Sequence, residues 1–279
     1  MPDSSHSAFA LNHTVAPKFT AADFMLLAHD LGIHQIEIRN DLKGVELETG
    51  LSPKQIGEKA SALGLEIITI NALQRFNDWN DTRASEAEAL AVSAKACGAK
   101  ALILCPVNDT AWQPSAAEKT GKLETALSAL KPILESQGIT GLIEPLGFVE
   151  CSLRSKREAV AAIDKIGGAK TFKLVHDTFH HHVAGEPELF AARTGLVHIS
   201  GVEDKSVPTS KMRDPHRVLV NAADLIDNAG QMRALLAAGY SGLFSYEPFT
   251  EIGETAADIK AALKKSMHFV EGALKKAAA

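Results

Sequence analysis

Eight short apolar runs, separated by longer segments with helical periodicity, are the feature of this sequence that most constrains its fold. The first of these segments is apolar at positions i, i+3, i+4 and i+7 of one helix face, which are Phe24, Leu27, Ala28 and Leu31. Several helical segments end at a glycine that leads into the next apolar run. The runs span residues 9–12, 35–39, 66–71, 101–105, 141–144, 172–177, 196–200 and 243–247. Strand and helix therefore alternate along the chain.

Eight such alternations predict a (β/α)8 TIM barrel. The competing fold, a doubly wound open sheet, usually carries a glycine-rich loop after its first strand, whereas this chain continues NHTVAPKFT, without a GxGxxG pattern. No linker or low-complexity tract divides the sequence. We therefore expect one domain over residues 1–279, with residues 1–6 and 275–279 frayed.

Charge and hydropathy argue against several classes of protein. A net charge of −5 gives no basic surface for nucleic acid. No apolar run approaches the ~20 residues that span a membrane, and the polar start MPDSSHSAFALNH does not resemble a signal peptide. The cysteines are odd in number and lack CxxC spacing; they are Cys97, Cys105 and Cys151. We therefore expect a cytoplasmic protein in a reducing environment, without nucleic-acid or membrane partners.

Potential metal ligands stand at the ends of four consecutive predicted strands. Because the active sites of such barrels lie at the C-terminal ends of the strands, these four side chains would share one rim. Side chains two positions apart lie on the same face of a strand, and the residue two positions before each ligand suits the barrel interior. The four pairs are Leu142 with Glu144, Val175 with Asp177, Leu196 with His198, and Ser245 with Glu247.

Three carboxylates crowded at one rim would repel one another and raise one another's pKa, and a divalent cation removes that conflict. Three oxygen donors and one imidazole suit Mn²⁺, Co²⁺, Mg²⁺ or Zn²⁺ without a thiolate. A single acidic residue at a strand end would mean little, but four ligands in succession predict a site for one divalent metal ion. Its ligands would be Glu144, Asp177, His198 and Glu247.

This constellation resembles the xylose-isomerase-like TIM-barrel superfamily of sugar isomerases and epimerases, and the resemblance covers nearly the whole chain. It implies that the same four residues hold one divalent metal. It also implies a set of substrate contacts on matching motifs. Among them, Arg217 would meet a substrate oxygen. These contacts are Glu150, six residues after the first ligand; His180, in the Asp-x-x-His motif; and Asp214, His216 and Arg217, in the Asp-x-His-Arg motif.

Three shorter segments are similar to the branch of 2-keto-myo-inositol (inosose) isomerases: LNHTVAP, EIRNDLKGV and INALQRFNDW. The similarity places a further set of side chains around the open end of the barrel, namely Asn12, His13, Arg39, Asn40, Asn71, Gln74 and Trp79. Two of them have an equally simple alternative, since Arg39 could form a local ion pair with Asp41 and Trp79 could cap the barrel mouth. The chain departs from the family after strand seven, where RVLVNAADLID replaces a Gly-Glu-Gly turn.

The three consecutive histidines after strand six are interpreted as extended chain. In extended chain His180 and His182 face one way and His181 the other, so that at most two of them face one site. We assign His180 to the site, and we expect the neighbouring His176 to be buried and to point outward toward the helices.

The resemblance implies a metal-dependent isomerase of a polyhydroxylated ketone, with 2-keto-myo-inositol as the expected substrate. Glu144 and Glu247 would transfer the proton through a metal-bound enediolate. A ketose 3-epimerase uses the same parts and is the nearest alternative. An apurinic endonuclease, with three zinc ions, and a non-catalytic sugar-binding protein are disfavoured. The partner would be a small polyol or sugar, and a homo-oligomer is expected without a defined size.

Overall fold

The computed structural model, which describes residues 8–42 and 50–275, has eight parallel strands closed into a barrel in chain order. Closure is direct, because the first strand pairs with both the second and the eighth. The strands are β1 (Phe9–Asn12), β2 (Gln35–Arg39), β3 (Glu66–Leu73), β4 (Ala101–Leu104), β5 (Thr140–Ile143), β6 (Phe172–Asp177), β7 (Thr194–Ile199) and β8 (Phe244–Tyr246). The predicted (β/α)8 TIM barrel is confirmed.

Eight α-helices in the described ranges surround the barrel. They are α1 (Ala21–Asp30), α2 (Pro53–Ala62), α3 (Asp81–Cys97), α4 (Ala116–Gln137), α5 (Lys156–Lys165), α6 (Thr178–Ala184), α7 (Asn228–Ala237) and α8 (Ala256–Lys275). Ser52 and Ser115 begin α2 and α4 with capping boxes, and Gly98 and Gly138 end α3 and α4 in the left-handed conformation. Of the ends expected to be frayed, residues 1–6 and 276–279 lie outside the described ranges, and Lys275 is the last residue of α8.

The two faces of the strands bury different side chains. Outward-facing residues such as Ile36 and Ile38 pack with the helices in the main apolar core. Inward-facing Leu142, Val175 and Leu196 form a second cluster inside the barrel. Because these three residues precede the predicted ligands by two positions, the ligands lie on the same inner face, one layer nearer the C-terminal rim.

None of the helices in the described part of the chain is both long and apolar enough to cross a membrane.

Candidate metal centre

The barrel brings the four predicted ligands together. Each of Glu144, Asp177, His198 and Glu247 offers a ligand atom, and these atoms all lie within 4.8 Å of one another. His198 is central, since its Nδ1 lies 2.9 Å from Glu144 Oε1, 3.1 Å from Glu247 Oε2 and 4.0 Å from Asp177 Oδ2. All four side chains are buried. The cluster therefore forms one compact set of three carboxylates and one imidazole.

Asp177 uses its two carboxylate oxygens for different purposes. It is the last residue of β6 and the N-cap of α6, and its Oδ1 accepts a 2.9 Å hydrogen bond from the backbone N–H of His180. Its Oδ2 lies 2.6 Å from the guanidinium of Arg217 and faces the cluster. The helix cap thus fixes the side chain so that one oxygen remains directed at the other ligands.

Two buried arginines hold Glu247. Arg217 donates to Glu247 Oε2 at 2.8 Å, and Arg39 donates to Glu247 Oε1 at 2.9 Å. The same Oε1 accepts weaker bonds from Asn12 at 3.2 Å and Asn71 at 3.4 Å. The carboxylate of Glu247 is therefore fixed from several strands at once.

The electrostatics of the cluster reflect the crowding of its charges. Burial alone would lower the pKa of His198, but the charges of Glu247, Glu37 and Glu144 outweigh it and raise this pKa well above its usual value. Burial would raise the pKa of Glu247, whereas His198 and Arg217 hold it well below its usual value. Burial raises the pKa of Asp177 even though Arg217 lies beside it. Without a cation, a proton on the imidazole offsets part of the carboxylate charge.

This donor set fits a divalent cation. Three carboxylates and one imidazole supply hard oxygen and borderline nitrogen donors, the combination that suits Mn²⁺, Co²⁺, Mg²⁺ or Zn²⁺. The buried negative charge that raises the pKa of His198 is the charge that such a cation would neutralise. The residues present could therefore hold one metal ion.

A polar cavity of about 390 Å³ opens beside the cluster, a size typical of small-molecule sites. It lies at the C-terminal end of the strands, where TIM-barrel enzymes bind their substrates. Eight of the predicted site residues line it: Arg39, Asn71, Gln74, Glu144, His180, Asp214, Arg217 and Glu247. A larger groove of about 690 Å³ runs along α4 and α5 on the outer helical layer, and none of the four ligands lines it.

His180 reaches the cavity from α6 as a hydrogen-bond donor. Its Nδ1 accepts a 3.2 Å bond from the backbone N–H of Gly147, which leaves the proton of the neutral ring on Nε2. Burial, followed by the charge of Arg217, lowers the pKa of His180 to about 4. A Cβ at Gly147 would collide with the backbone of α6, so glycine permits this close approach. His180 is therefore neutral near pH 7.

Two predicted contacts are also held by other protein groups. Arg217 bonds not only to the carboxylates of Asp177 and Glu247 but also to Ser200 at 2.9 Å and Asp214 at 3.3 Å. Arg39 forms two 2.8 Å bonds to Asp41, so the local ion pair is present. Arg39 also lines the cavity.

Other predicted contacts lie away from the cavity wall. Glu150 pairs with Arg213 at 3.5 Å, and the Nδ1 of His216 accepts a bond from the backbone N–H of Arg213 at 2.9 Å. Trp79 packs against the apolar core of the helical layer. Asn12 lies beneath the carboxylates, bonded to Glu247.

Some motif residues near the rim also take up structural roles. His13 stacks on Phe24 of α1, with ring centroids 4.4 Å apart. Residues 43–45, the end of the EIRNDLKGV segment, lie outside the described ranges.

The extended conformation expected for the three histidines is wrong. They lie in α6, a seven-residue helix that starts directly after Asp177, because the Asp177 carboxylate caps its first turn. Successive residues of a helix project about 100° apart, so His182 does not share the direction of His180. His182 lies 3.4 Å from the Thr209 hydroxyl instead. His176 is buried and pairs with Gln231 at 3.0 Å, outside the barrel, as expected.

Sequence reasoning missed Glu37, which lies in the middle of β2 and is completely buried. Its Oε2 lies 3.2 Å from the Nε2 of His198, on the side of the ring away from the other carboxylates. The signal was available, because Glu37 alternates with Ile36 and Ile38 and therefore faces the barrel interior. Glu37 lies two residues before the end of β2, however, whereas the four predicted ligands stand at or next to strand ends.

Solved structures similar to this chain share its fold over nearly its whole length. A xylose isomerase domain protein from Salmonella typhimurium LT2 has a TM-score of 0.87 and 32% identity, covering 95% of this chain and 97% of its own. The IolI protein, solved with a bound zinc atom, has a TM-score of 0.85 and 22% identity, with coverages of 96% and 98%. An L-ribulose 3-epimerase has a TM-score of 0.75 and 17% identity, with coverages of 98% and 96%.

Similarity at 22% and 17% identity shows the fold alone. A comparison with curated proteins finds no match. Residues 25–271 match the family model described as a xylose isomerase-like TIM barrel. Since that match spans most of the sequence, the chain belongs to the xylose isomerase-like TIM-barrel family.

Proposed function

We propose that this protein is a divalent-metal-dependent isomerase of a polyhydroxylated ketone, with 2-keto-myo-inositol as its substrate. The observation that carries the proposal is the buried set of three carboxylates and one imidazole directly beside a polar cavity at the rim of the barrel. The motifs shared with inosose isomerases support the choice of substrate. A bound cation would supply Lewis acidity, polarising a carbonyl oxygen and the neighbouring hydroxyl oxygen of the substrate.

Two glutamates are placed to move the proton. Glu144 Oε1 and Glu247 Oε2 approach the Nδ1 of His198 at 2.9 Å and 3.1 Å, and both side chains line the cavity. One carboxylate would remove the proton from the carbon beside the carbonyl, and the other would return a proton to the adjacent carbon. Their positions directly after β5 and β8, at the two ends of the ligand arc, support this division of roles.

The neutral residues of the cavity wall would orient the substrate. His180 presents an Nε2–H donor suited to a hydroxyl oxygen, and Asn71 presents a side-chain amide. Phe249 and Phe148 line the same cavity and provide apolar faces that exclude water. Such a surface suits an uncharged ring that carries several hydroxyl groups.

A nuclease is less well supported than an isomerase, whereas a ketose 3-epimerase fits the same residues. A nuclease with three zinc ions needs further ligands on earlier strands, where this chain has Arg39 and Asn71, and residues 8–42 and 50–275 contain a single cluster able to hold a metal. A ketose 3-epimerase would use the same two glutamates, and only the product separates it from an isomerase.

The test is turnover by protein stripped with a chelator and reloaded separately with Mn²⁺, Co²⁺, Zn²⁺ or Mg²⁺. Inososes, ketohexoses and hydroxypyruvate would be offered as substrates in heavy water. We expect about one ion per chain, loss of activity on chelation, recovery with Mn²⁺ or Co²⁺, and deuterium at the carbon that changes. Activity insensitive to the chelator would refute the proposal, and a content near three zinc ions would favour the nuclease.

The position of the label separates the remaining mechanisms. Epimerised ketose with deuterium at a single inverted carbon would make the protein an epimerase. A product without deuterium would favour a hydride shift between adjacent carbons, unless the base shields its proton from solvent throughout. Tracing a labelled substrate hydrogen into the product would settle that last case.

A further inference from the structure

Glu37 is a carboxylate enclosed within the barrel wall. It lies at the centre of β2 with an exposed fraction of 0%. A buried carboxylate is costly unless hydrogen bonds or an opposite charge stabilise it. The contacts of Glu37 therefore indicate why the barrel retains it.

Four side chains from four other strands donate to Glu37. Oε2 accepts from the Thr69 hydroxyl at 2.7 Å and lies 3.2 Å from the Nε2 of His198. Oε1 accepts from the Ser245 hydroxyl and, at 3.4 Å, from the Asn12 amide. Three of these donors are neutral and serve to hold the carboxylate in place. The fourth, His198, connects it to the proposed metal ligands.

The ring of His198 lies between Glu37 and the ligand carboxylates. Nδ1 faces Glu144 and Glu247, and Nε2 faces Glu37 on the opposite side of the ring. A neutral imidazole that binds a cation through Nδ1 keeps its proton on Nε2, where Glu37 can accept it. Such carboxylate–histidine pairs orient metal-binding imidazoles and make them stronger ligands.

We propose that Glu37 is a positioning residue for the metal site. It holds His198 with Nδ1 directed at the cation and the proton on Nε2, and it thereby strengthens cation binding. Glu37 is not itself one of the four residues grouped around the cation position. The inference rests on the metal site proposed above.

The test is the affinity of the metal-free full-length protein for Zn²⁺, measured by competition with a chelating dye. Glu37→Ala removes the acceptor, whereas Glu37→Gln keeps an acceptor oxygen and removes the charge. Thr69→Val is the matched control, because it removes one donor to Glu37 and leaves the contact with His198. We expect Glu37→Ala to weaken binding about 10- to 100-fold, Glu37→Gln to be intermediate, and Thr69→Val to stay within about threefold of the parent protein.

A spectroscopic measurement separates positioning from general destabilisation. With Co²⁺ in the site, Glu37→Ala and Glu37→Gln should change the visible absorption bands, because these bands respond to the ligand geometry, and Thr69→Val should not. Parent-like affinity and spectrum in both Glu37 variants would overturn the inference and leave the metal site intact. An equal loss of affinity in Thr69→Val, with the Co²⁺ spectrum unchanged in all three variants, would also overturn it, since the loss would then reflect packing of the barrel interior and not the geometry of His198.

If the Glu37 variants do not fold, nitrogen NMR of the zinc-loaded parent protein tests the inference, because it shows which ring nitrogen of the histidine carries the proton and which one binds the metal. The zinc-responsive histidine should carry its proton on Nε2 and the metal on Nδ1. The opposite arrangement would overturn the inference, and a parent protein that binds no cation would overturn both the inference and the proposed metal site.

Discussion

Two sides of the barrel interior hold their ligands in different ways. The apolar side, formed by Ile103, Leu142 and Val175, lies below Glu144 and Asp177. The polar side lies beside His198 and around Glu247, and it is formed by Asn12, Glu37, Arg39, Thr69, Asn71 and Ser245.

The two glutamates show the consequence. Within residues 8–42 and 50–275, the one side-chain hydrogen bond to Glu144 other than that of His198 comes from the Cys105 thiol, 3.6 Å from Oε2. Glu247 is bonded to Arg39 and Arg217 and to two asparagines. The polar side therefore fixes its carboxylate rigidly, and the apolar side leaves Glu144 with more freedom.

The largest expected effect, on turnover, comes from replacing the carboxylate of Glu144 or of Glu247 by a neutral amide. Glu144→Gln and Glu247→Gln should each lower turnover about 1000-fold, because each removes a proposed proton-transfer group. Their stabilities should differ: Glu247→Gln deprives two buried arginines of a partner and should lower the unfolding free energy by about 3 kcal/mol. Glu144→Gln should cost clearly less. Equal destabilisation of the two metal-free variants, measured by urea unfolding, would contradict the comparison, and metal content must be measured alongside.

The apolar side and the rim of ligands could be predicted from the sequence, whereas the side-chain pairings of the polar side could not. Leu142, Val175 and Leu196 share one face with Glu144, Asp177 and His198 through strand periodicity alone, and the barrel then brings them together. Apart from His198 and Arg217, the partners of Glu247 come from β1, β2 and β3, more than 170 residues earlier in the chain. No local pattern records such pairings, so the sequence places Asn71 at the substrate, and Arg39 either there or in an ion pair with Asp41.

The loop residues show the same limit. Glu150 and Trp79 occupy matching motif positions, but where a loop side chain points depends on packing that a motif does not specify. Asp177 could be predicted as a ligand, whereas its role as the N-cap of α6 depends on a helix that begins at the next residue.

Arg39 tests the polar side at the rim. Arg39→Met should lower kcat/KM about 10- to 100-fold, because Glu247 Oε1 loses its 2.9 Å partner and the carboxylate can shift. Metal content should stay close to one ion, since all four ligands remain. Arg75→Met is the matched control: Arg75 lines the same cavity but pairs with Asp78 and Asp109, outside the ligand set. Similar losses in both variants would mean that Glu247 does not depend on Arg39.

The dependence of metal affinity on pH tests the protonation of His198, which contacts carboxylates from both sides of the barrel interior. The carboxylates raise the pKa of His198 well above its usual value, so the metal-free protein carries a proton there near neutral pH. A cation must displace that proton, and affinity should therefore rise about tenfold per pH unit until the pH exceeds this pKa. Calorimetry in buffers of different ionisation enthalpy should show about one proton released. Affinity that is constant between about pH 6 and pH 8 would contradict this expectation.

The smallest effect should come from Trp79, which sequence similarity places at the substrate and the structure places against the helical core. Trp79→Phe should leave KM within about twofold of the parent value and lower the unfolding free energy by about 1 kcal/mol, because it removes packing volume and no cavity contact. Phe249→Leu is the contrasting variant, because Phe249 lines the cavity, whereas Trp79 does not. Phe249 also stacks on Arg217, with 4.5 Å between the guanidinium and the ring centroid. KM should rise in this variant while Trp79→Phe stays unchanged. The reverse result would mean that the substrate reaches beyond the cavity beside Glu144 and Glu247, toward the loop that carries Trp79.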